Sequence, residues 1–517
     1  MGYWLQAATT KNVNYSRSII FQIQIQYFCC LFFKTMKIFF SLVFSVFAYS
    51  FANAQAYKIT LSAPQYNSGR AYLTYYYGKN MNVQDSAIVN AKGVAVFSGT
   101  KKMLPGVYSI VLPGKSKLLD FLVAKQQIIN ISIPDTAEMI KSSTVTGAEE
   151  NGLFQAYQKY IDEKGKLLHK ELDAYQTSKT KADSTLHENN YKKLNNELND
   201  YREKVIKEHP ESMLASLFQS MKPVQVPDTH LVTHEDSLAN YQYYKKHYWD
   251  GITFMDDRII RTPFFLPKLQ QYFENVIPQS PDSIIKDADY LLLLSRSAPE
   301  MYKFLLNWLT DEYIYPKYMG QDAVFVHLFN KYHSKGVSNW LNEKQIKTIS
   351  DRAYMLMSNL IGEQAANLQM VDSNGVEAPL YNIKANYTVV VFWDPSCGHC
   401  QHEVPRLDSI YNAKWKTEGV KMYGVLTEPK DFDSWKKFIR EKNLGNWVNV
   451  YETEAQRKMV EQSKQPSYKQ LFDVTQTPTL YLLDKDKKII AKKLTMEQLD
   501  DLLDVKIKNQ TAQSDKK

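Results

Sequence analysis

The chain has 517 residues, which is too long for a single hydrophobic core and predicts about three domains. With 44% hydrophobic and 23% charged residues, its composition is ordinary for a soluble globular protein. The formal net charge of +8 is not concentrated in a basic stripe with interleaved aromatic residues, so the sequence argues against a nucleic-acid-binding protein.

The first 54 residues have the pattern of a secretory signal peptide preceded by an extension. Met36-Lys37 is followed by an apolar run and then by the small-residue cleavage pattern Ala52-Asn53-Ala54. The run falls short of the roughly 18 to 20 apolar residues that a membrane-spanning helix needs. We therefore predict that translation starts at Met36, that residues 1–35 are an upstream extension, and that cleavage after Ala54 releases an exported protein.

Removal of this segment changes the charge and the cysteine content of the mature chain. The segment carries four cations and no acidic residue, so the net charge falls from +8 to +4. It also contains Cys29 and Cys30, which leaves Cys397 and Cys400 as the only cysteine pair. A disulfide across two intervening residues closes a very small loop and stabilises little, which disfavours a purely structural role for the pair.

Residues 55–146 are predicted to form an all-β module. Short runs rich in β-branched and aromatic residues, such as YKITLSA, RAYLTYYYG and GVYSIVLPG, are separated by Gly and Pro at intervals of about 8 to 15 residues, which is typical of a small sandwich or barrel. The segment contains no histidine or cysteine. We therefore interpret it as a binding or packing module.

Residues 147–362 are predicted to be an all-α domain. Apolar residues recur at three- and four-residue steps from Tyr191 to Val205, which indicates an amphipathic helix. The polar stretch 177–184 before it is expected to be the turn of a helical hairpin. We interpret the aromatic residues of this domain as core, and no cofactor is expected.

Residues 365–507 are predicted to be an α/β domain. The continuous apolar run YTVVVFW is expected of a buried central strand, and Cys397-Gly398-His399-Cys400 follows it at the start of a predicted helix. The polar tail 508–517 is predicted to be disordered. The chain is thus multidomain, with an N-terminal all-β module, a middle all-α region and a C-terminal α/β domain.

A CxxC pair at the point where a strand leads into a helix has the chemistry of a redox couple. Unpaired backbone N–H groups and the helix dipole favour negative charge at a helix N-terminus, so the thiol of Cys397 should ionise more easily than a free thiol. Its thiolate would attack a substrate disulfide, and Cys400 would resolve the mixed disulfide, leaving a Cys397–Cys400 disulfide. Zinc binding is the alternative, but structural zinc usually takes four ligands, and no second cysteine pair remains, so no metal site is expected.

This region resembles the thioredoxin-fold domains of exported, TlpA-like proteins. The resemblance rests on Phe392-Trp393 before the motif, Cys397, Cys400, Glu403, Pro405 and Thr477-Pro478. It implies a thioredoxin fold in which the Thr477–Pro478 peptide bond is cis, the loop around it faces the sulfur atoms, and Thr477 offers backbone groups to an extended substrate chain.

The resemblance also gives Glu403 a role in proton handling near the cysteines. A part-buried carboxylate would have a raised pKa and could relay the proton of Cys400, although acidic residues are also favoured in the early turns of any helix. The residues expected to modulate the active site are Trp393, Pro395, Gly398 and His399.

The sequence departs from this family at two positions. Ser396 stands where a tryptophan usually precedes the first cysteine, and His399 replaces the proline common in reducing thioredoxins. A partly protonated imidazole beside the thiolate would stabilise the reduced form and make the couple more oxidising. The fold thus favours a reductase and the dipeptide favours an oxidase or isomerase; we slightly favour the reductase, and the sequence leaves the direction open.

The leading functional hypothesis is an exported thiol-disulfide oxidoreductase that acts on protein dithiols and disulfides. A thiol peroxidase is an alternative, but the peroxiredoxin pattern requires proline seven residues before the nucleophile, where this chain has Val390. A third hypothesis, from a different class, is an envelope binding or scaffold protein with a vestigial thioredoxin domain.

The upstream regions, including YWDGITFMDDRIIRTPFF, resemble parts of multidomain thioredoxin-like proteins that are common in the Bacteroidota. That resemblance implies a location in the periplasm or cell envelope of a Gram-negative bacterium, and family analogy implies a membrane-embedded electron donor. The upstream domains are expected to bind a partner or to dimerise. The sequence identifies neither the substrate nor the donor.

Overall fold

The structure, a computed structural model, describes residues 56–115, 117–227 and 233–514. The predicted signal peptide, residues 1–54, and its cleavage site therefore lie outside the described residues. None of the helices within these three ranges is both long and apolar enough to cross a lipid bilayer.

The chain forms two compact units that divide between Phe218 and Gln219. The first unit contains the β module and a helical hairpin, and the second contains the remaining helices and the C-terminal α/β domain. The division lies inside the stretch 147–362, for which the sequence predicts a single helical domain. Helical periodicity identifies a buried face but does not say which partner covers it.

Within the described residues, the β module has eight strands and one short helix: β1 (Tyr57–Ser62), β2 (Arg70–Tyr77), β3 (Asn80–Ile88), β4 (Val94–Gly99), β5 (Gly106–Val111), β6 (Leu118–Val123), β7 (Ile128–Ser132), α1 (Met139–Ser142) and β8 (Thr144–Thr146). The strands form two four-stranded sheets, in the orders β4-β1-β7-β8 and β3-β2-β5-β6. Residues from both sheets, among them Ile59, Phe97, Ile110 and Phe121, share one buried core. The predicted all-β module is confirmed.

Two long helices, α2 (Glu149–Thr177) and α3 (Lys181–Glu208), follow the β module as a hairpin. The turn between them lies within the predicted stretch 177–184. At the start of α2, the buried Asn151 side chain accepts a hydrogen bond from the N–H of Leu122 and donates one to its carbonyl, both at 2.8 Å. These bonds join the hairpin to β6, and the helix α4 (Met213–Ser220) then reaches the unit boundary.

The helical part of the second unit confirms the predicted middle all-α region. Pro281 and Pro299 each begin a helix, a position that suits the fixed φ of proline and its missing N–H. The helices are α5 (His234–His247), α6 (Phe265–Gln271), α7 (Pro281–Leu294), α8 (Pro299–Tyr313), α9 (Asp322–Lys331) and α10 (Glu343–Met357).

A six-stranded sheet forms the centre of the C-terminal domain. Its strands are β9 (Val371–Asp372), β10 (Tyr387–Trp393), β11 (Val420–Leu426), β12 (Val448–Tyr451), β13 (Thr479–Asp484) and β14 (Ile489–Lys492). The order is β14-β13-β10-β11-β12-β9, with β10, β11 and β12 parallel. Alternate residues of β10 enter two different buried clusters, one on each face of the sheet. A strand buried on both faces explains the continuous apolar run.

Helices cover both faces of this sheet, as expected for a thioredoxin-like fold. They are α11 (Gly398–Ile410), α12 (Phe432–Glu441), α13 (Glu454–Ser463), α14 (Tyr468–Leu471) and α15 (Met496–Ser514). The last helix continues past residue 508, where the sequence predicts a disordered tail. Leu499, Leu503 and Ile507 recur at four-residue steps and pack against the same core, which extends the helix.

The helical part of the second unit contacts the edge strand β14 through a buried lysine. The ammonium group of Lys492 donates hydrogen bonds to the carboxylate of Asp322, in α9, and at 2.6 Å to both the backbone and the side-chain carbonyl of Asn359. All three residues are buried. An ammonium group buried this far from water needs these oxygen partners.

The backbone between the helical part and the α/β domain also pairs with β14. The N–H of Gly362 donates to the carbonyl of Ile489 (2.8 Å), and the N–H of Ile489 donates to Glu363 (2.9 Å). The N–H of Ala365 donates to Lys487 (2.9 Å). The predicted boundary between the two domains, at residues 362–365, is therefore hydrogen-bonded to the sheet.

Candidate active site

The loop between β10 and α11 is organised by the buried side chain of Asp394. Its carboxylate accepts hydrogen bonds from the N–H and the hydroxyl of Ser396, both at 2.7 Å. Its backbone carbonyl accepts from the N–H of Cys397 (3.2 Å). Ser396, one of the two departures from the family pattern, therefore closes the turn that brings Cys397 to the start of the helix.

The two cysteines occupy different environments. Cys397 is the N-cap residue of α11 and is half-buried, whereas Cys400 lies in the first turn and is fully buried among core residues. Both are free thiols, so the structure describes the dithiol and not the predicted Cys397–Cys400 disulfide. Only the sulfur of Cys397 is open to a partner molecule.

These environments shift the two thiol pKa values in opposite directions. Burial raises the pKa of Cys397, but hydrogen bonds from the side chain of Thr477 and from the backbone N–H groups of Cys400 and His399 outweigh burial, so the pKa lies below the ordinary value. Burial raises the pKa of Cys400 to about 12. Cys397 is thus the thiol that ionises first, as its position at the helix N-terminus predicts.

The loop before β13 faces the sulfur of Cys397. The thiol of Cys397 donates a hydrogen bond of 3.4 Å to the backbone carbonyl of Thr477. The Thr477–Pro478 peptide bond is cis, as the family resemblance implies. The structure therefore brings Thr477 and Pro478, predicted as substrate-binding residues, directly beside the predicted nucleophile, although Thr477 lies 80 positions away from it in sequence.

Glu403 does not have the raised pKa that we expected. Its carboxylate accepts hydrogen bonds from His402 (2.9 Å) and Arg406 (2.8 and 3.0 Å). These hydrogen bonds, that of His402 first, hold its pKa below the ordinary value and outweigh partial burial. The expectation failed because it assumed burial without a cationic neighbour; Arg406, three residues on, supplies one.

The residues predicted to modulate the site take four different positions. Trp393 is fully buried, with its ring centroid 5.3 Å from that of Phe438. Pro395 is buried, and its carbonyl accepts a 2.8 Å hydrogen bond from Gln401. Gly398 is exposed, and no atom lies within 4 Å of the point that a β-carbon would occupy there. His399 is exposed on the rim of a cleft.

The packing beneath Trp393 leaves little room for a side chain at Gly424. A Cβ atom on Gly424, in the neighbouring strand β11, would lie 3.0 Å from Oδ1 of Asn449 and 3.2 Å from Nε1 of Trp393. It would also lie 3.1 Å from the ring of Trp447. Such distances are shorter than ordinary van der Waals contacts, so a side chain at this position would push on the strand end that carries the active-site loop.

A cleft of about 410 Å³ lies beside the cysteines. It is lined by predicted site residues, namely His399, Glu403, Thr477 and Pro478, and by residues that the sequence did not single out, among them Gln476, Lys493, Thr495 and Met496. The second group follows β14 or precedes the cis peptide, so only the strand pairing of β13 with β14 brings it to the site. No signal within the sequence marks it.

Among the residues that the structure describes, no three or more His, Cys, Asp or Glu side chains form a group that could hold a metal ion. His399 and His402 are both exposed, and His402 contacts Glu403. The site consists of a dithiol beside a cleft, with one accessible and one buried sulfur.

Comparison with protein families gives two matches within the chain. Residues 361–492 match the AhpC/TSA family, and residues 57–154 match a domain of unknown function, DUF4369. The first match contains both cysteines, the loop at Thr477 and Lys492, and it begins at the segment that pairs with β14. The second covers the β module and the first turns of α2.

Individual proteins resemble the C-terminal part of the chain. The thiol-disulfide oxidoreductase ResA of Bacillus thuringiensis subsp. konkukian is 27% identical over 146 residues, which cover 28% of this chain and 76% of that protein. A crystallised domain of a possible thiol-disulfide isomerase from Cytophaga hutchinsonii is 39% identical, covering 30% of this chain and 97% of that one, with a TM-score of 0.26. A thioredoxin-like protein from Bacteroides caccae is 21% identical, covering 55% and 99%, with a TM-score of 0.42.

Proposed function

Because the C-terminal domain is that of a TlpA-like thiol-disulfide oxidoreductase, we propose that the protein is an exported enzyme that reduces disulfides in other proteins. The observation that carries this proposal is the asymmetry of the dithiol. The sulfur of Cys397 faces both the cleft loop and solvent, and that of Cys400 is buried one turn behind it. One thiol can therefore meet a substrate while the other waits to resolve the product.

The reaction proceeds in two exchange steps. The Cys397 thiolate attacks one sulfur of the substrate disulfide, forms a mixed disulfide and releases the other substrate sulfur as a thiolate, which takes up a proton. Cys400 then loses its proton and attacks the sulfur of Cys397. This forms the Cys397–Cys400 disulfide and releases the second substrate thiol, so two electrons pass from the enzyme dithiol to the substrate.

The proton of Cys400 must leave before the second step, because its raised pKa keeps it protonated at neutral pH. Glu403 lines the same cleft but is held ionised by His402 and Arg406. As a carboxylate it can accept a proton, yet its lowered pKa makes it a weak base. We retain Glu403 as the proposed proton acceptor for Cys400, acting from the ionised form.

A reductase needs a supply of electrons to return Cys397 and Cys400 to the dithiol. A membrane-embedded dithiol donor fits the proposed location in the periplasm or cell envelope of a Gram-negative bacterium, which rests on the signal-peptide pattern of residues 1–54. The β module and the helices would bind a partner or mediate dimerisation. The reductase direction itself rests on the analogy with the thioredoxin fold, against the oxidising tendency of His399.

The reduction potential of the Cys397/Cys400 couple tests the direction. The protein is equilibrated in glutathione buffers, and the dithiol fraction is measured by alkylation and mass spectrometry. A potential near that of thioredoxin, about −270 mV, is the expected result; one near −180 mV, the value of protein disulfide isomerase, would replace the reductase by an oxidase or isomerase. Retention of insulin reduction by Cys397→Ser would overturn the enzymatic proposal altogether.

Two further experiments separate the alternatives. Val390 lies fully buried in β10, where a peroxidase of the peroxiredoxin pattern would have its proline, so peroxide consumption is expected to be slower than thiol exchange. Cys400→Ser is expected to trap partners as mixed disulfides that a reductant releases. If wild type and Cys400→Ser capture the same partners equally well and a reductant does not release them, the protein is a binding or scaffold protein.

A further inference from the structure

A single lysine brings positive charge to the substrate cleft. Lys493 follows β14, and its N–H donates a 2.7 Å hydrogen bond to the carbonyl of Leu480 in β13. Lys493 lines the cleft together with Thr477 and Pro478, and 35% of its side chain is exposed to solvent. The backbone hydrogen bond fixes Lys493 opposite the loop that faces the nucleophile.

The ammonium group of Lys493 is hydrogen-bonded to the buried carboxylate of Asp473. Nζ lies 2.5 Å from Oδ2 of Asp473, and Nη1 of Arg352 lies 2.5 Å from Oδ1 of the same residue. Asp473 is 1% exposed. Burial raises the pKa of Asp473, but these two hydrogen bonds outweigh burial and keep the pKa below its ordinary value, so the group stays ionised.

Arg352 comes from helix α10, outside the α/β domain. Its Nε donates to the carbonyl of Ile314 (3.2 Å), and its guanidinium lies 4.9 Å from the centre of the Tyr315 ring. The side chain is 11% exposed and therefore has little freedom. The helical part of the unit thus supplies one of the two cations that share the carboxylate.

The two cations Arg352 and Lys493 and the single carboxylate of Asp473 sum to one net positive charge. Asp473 can neutralise only one of its two cations, and of the two Lys493 is the one that reaches the cleft. The other ionised group that lines the cleft is Glu403, which already pairs with Arg406. A substrate carboxylate that entered the cleft would therefore find its best partner at Lys493.

We propose that Lys493 is a specificity-determining residue that selects disulfides flanked by an acidic side chain, and that Arg352 and Asp473 are positioning residues for it. This inference rests on the proposed function, because it names the substrate class of the same dithiol. An Asp or Glu next to the substrate cysteine would pair with the ammonium group while the adjacent backbone lies along Thr477. The helical part thereby takes part in substrate choice, a role that the dithiol alone does not give it.

The test uses the pre-reduced full-length protein and three cyclic peptides. Each peptide is closed by one disulfide and carries Asp, Asn or Lys beside the first cysteine. Rates are divided by the rate of each peptide with dithiothreitol, which removes the effect of the charge on intrinsic reactivity. At low ionic strength the Asp peptide is expected to react about fivefold faster than the Asn peptide, which is the upper end of what a partly exposed ion pair contributes. The two peptides should differ in the concentration that gives half-saturation and not in the limiting rate.

Substitutions identify the residue responsible for this ratio. Lys493→Gln is expected to bring the Asp-to-Asn ratio to about one, and Lys493→Arg to preserve it. Lys488→Gln makes the same charge change at an exposed lysine in the turn at the far end of β13, and is the matched control. In Arg352→Gln the negative charge of Asp473 neutralises Lys493 alone, so the Asp-to-Asn rate ratio should fall. Arg352→Lys keeps a positive charge at this position and should preserve part of the ratio.

A neutral reference substrate distinguishes failure of the proposed dithiol activity from failure of the role of Lys493. Hydroxyethyl disulfide has no charge for Lys493 to recognise, so wild type and the control Lys488→Gln should reduce it equally. If wild type fails to reduce it, the proposed function and the inference both fall. If wild type reduces it but shows no preference for the Asp peptide, or keeps its preference in Lys493→Gln, the dithiol enzyme stands and the role of Lys493 is wrong.

Discussion

Substitution of Lys492 by methionine probes the contact between the helices and the edge strand of the second unit. The change keeps most of the side-chain volume but removes an ammonium group that donates to Asp322 and to both carbonyls of Asn359. The carboxylate of Asp322 would stay behind in a buried position, and its Oδ1 atom already lacks a partner among the described residues.

The expected loss follows from this desolvation. Removing one partner of a buried ion pair costs about 3 to 5 kcal/mol, because the other charge remains without compensation. Burial lowers the pKa of Lys492 despite the attraction of Asp322, so the pair gains little over an apolar replacement. The double variant Lys492→Met/Asp322→Leu should therefore recover about half of the loss and remain about 1 to 3 kcal/mol below wild type, because the acceptors of Asn359 stay unpaired.

Tryptophan fluorescence reports this change selectively. Seven of the eight tryptophans lie after residue 218, in the second unit, and the eighth, Trp4, precedes the predicted cleavage site. Guanidinium unfolding of the mature chain followed at this signal should show the full loss for Lys492→Met, equivalent to a fall of about 5 to 8 °C in Tm. Lys347→Met, which breaks an exposed pair with Asp351 on α10, is the control and should cost well under about 1 kcal/mol.

The outcome that refutes this reasoning is a small effect of the single variant. A loss of less than about 1 kcal/mol for Lys492→Met would mean that water reaches Asp322 and that the contact with the edge strand is open. A double variant no more stable than the single one would mean that the carboxylate of Asp322 is not the source of the cost.

Three further predictions concern the active site and its support. Iodoacetamide should label Cys397 at pH values below the ordinary thiol range, because its lowered pKa supplies thiolate there. Cys400, with a pKa of about 12, should stay unlabelled in the native protein through about pH 9. Equal labelling of the two cysteines, measured by mass spectrometry, would contradict this prediction. Gly424→Ala should lower the free energy of unfolding by about 1 to 3 kcal/mol, whereas Gly445→Ala, with no atom within 4 Å of the added methyl group, should not. Glu403→Gln should leave the pH dependence of the disulfide-reduction rate between about pH 6 and 8 unshifted, because a carboxylate of lowered pKa is ionised throughout that window. If the wild-type rate changes with pH in that window and the Glu403→Gln rate does not, the pKa of Glu403 is raised, as we first expected.

The local features of the active site could be predicted from sequence because each depends on neighbouring residues. A continuous apolar run identified β10, and the position of Cys397 after it identified the helix start. The spacing of the two cysteines predicted that Cys400 lies one helical turn beyond Cys397, within reach of a mixed disulfide. In these cases local chemistry and tertiary structure agree, so the pattern was sufficient.

The features that the sequence did not reveal depend on pairs far apart in the chain. Asp473 and Arg352 are 121 positions apart, and each alone reads as an ordinary charged residue. Lys493 enters the cleft only because β14 pairs with β13. Glu403 was misjudged for the opposite reason: its cationic neighbour Arg406 is local, but the expected burial was taken from a family resemblance and not from the residues around it.

The hydrogen bonds between residues 362–365 and β14 bear on where this chain can be cut. A fragment that began at the predicted boundary would expose the N–H and carbonyl groups of an edge strand, a surface on which other chains can add strands and aggregate. It would also contain Lys492 and Asp473 without Asp322 and Arg352, their ionic partners. A cut at this boundary therefore removes two buried ion pairs and a strand contact, and we expect a fragment that begins upstream of α9 to be more stable than one that begins at residue 365.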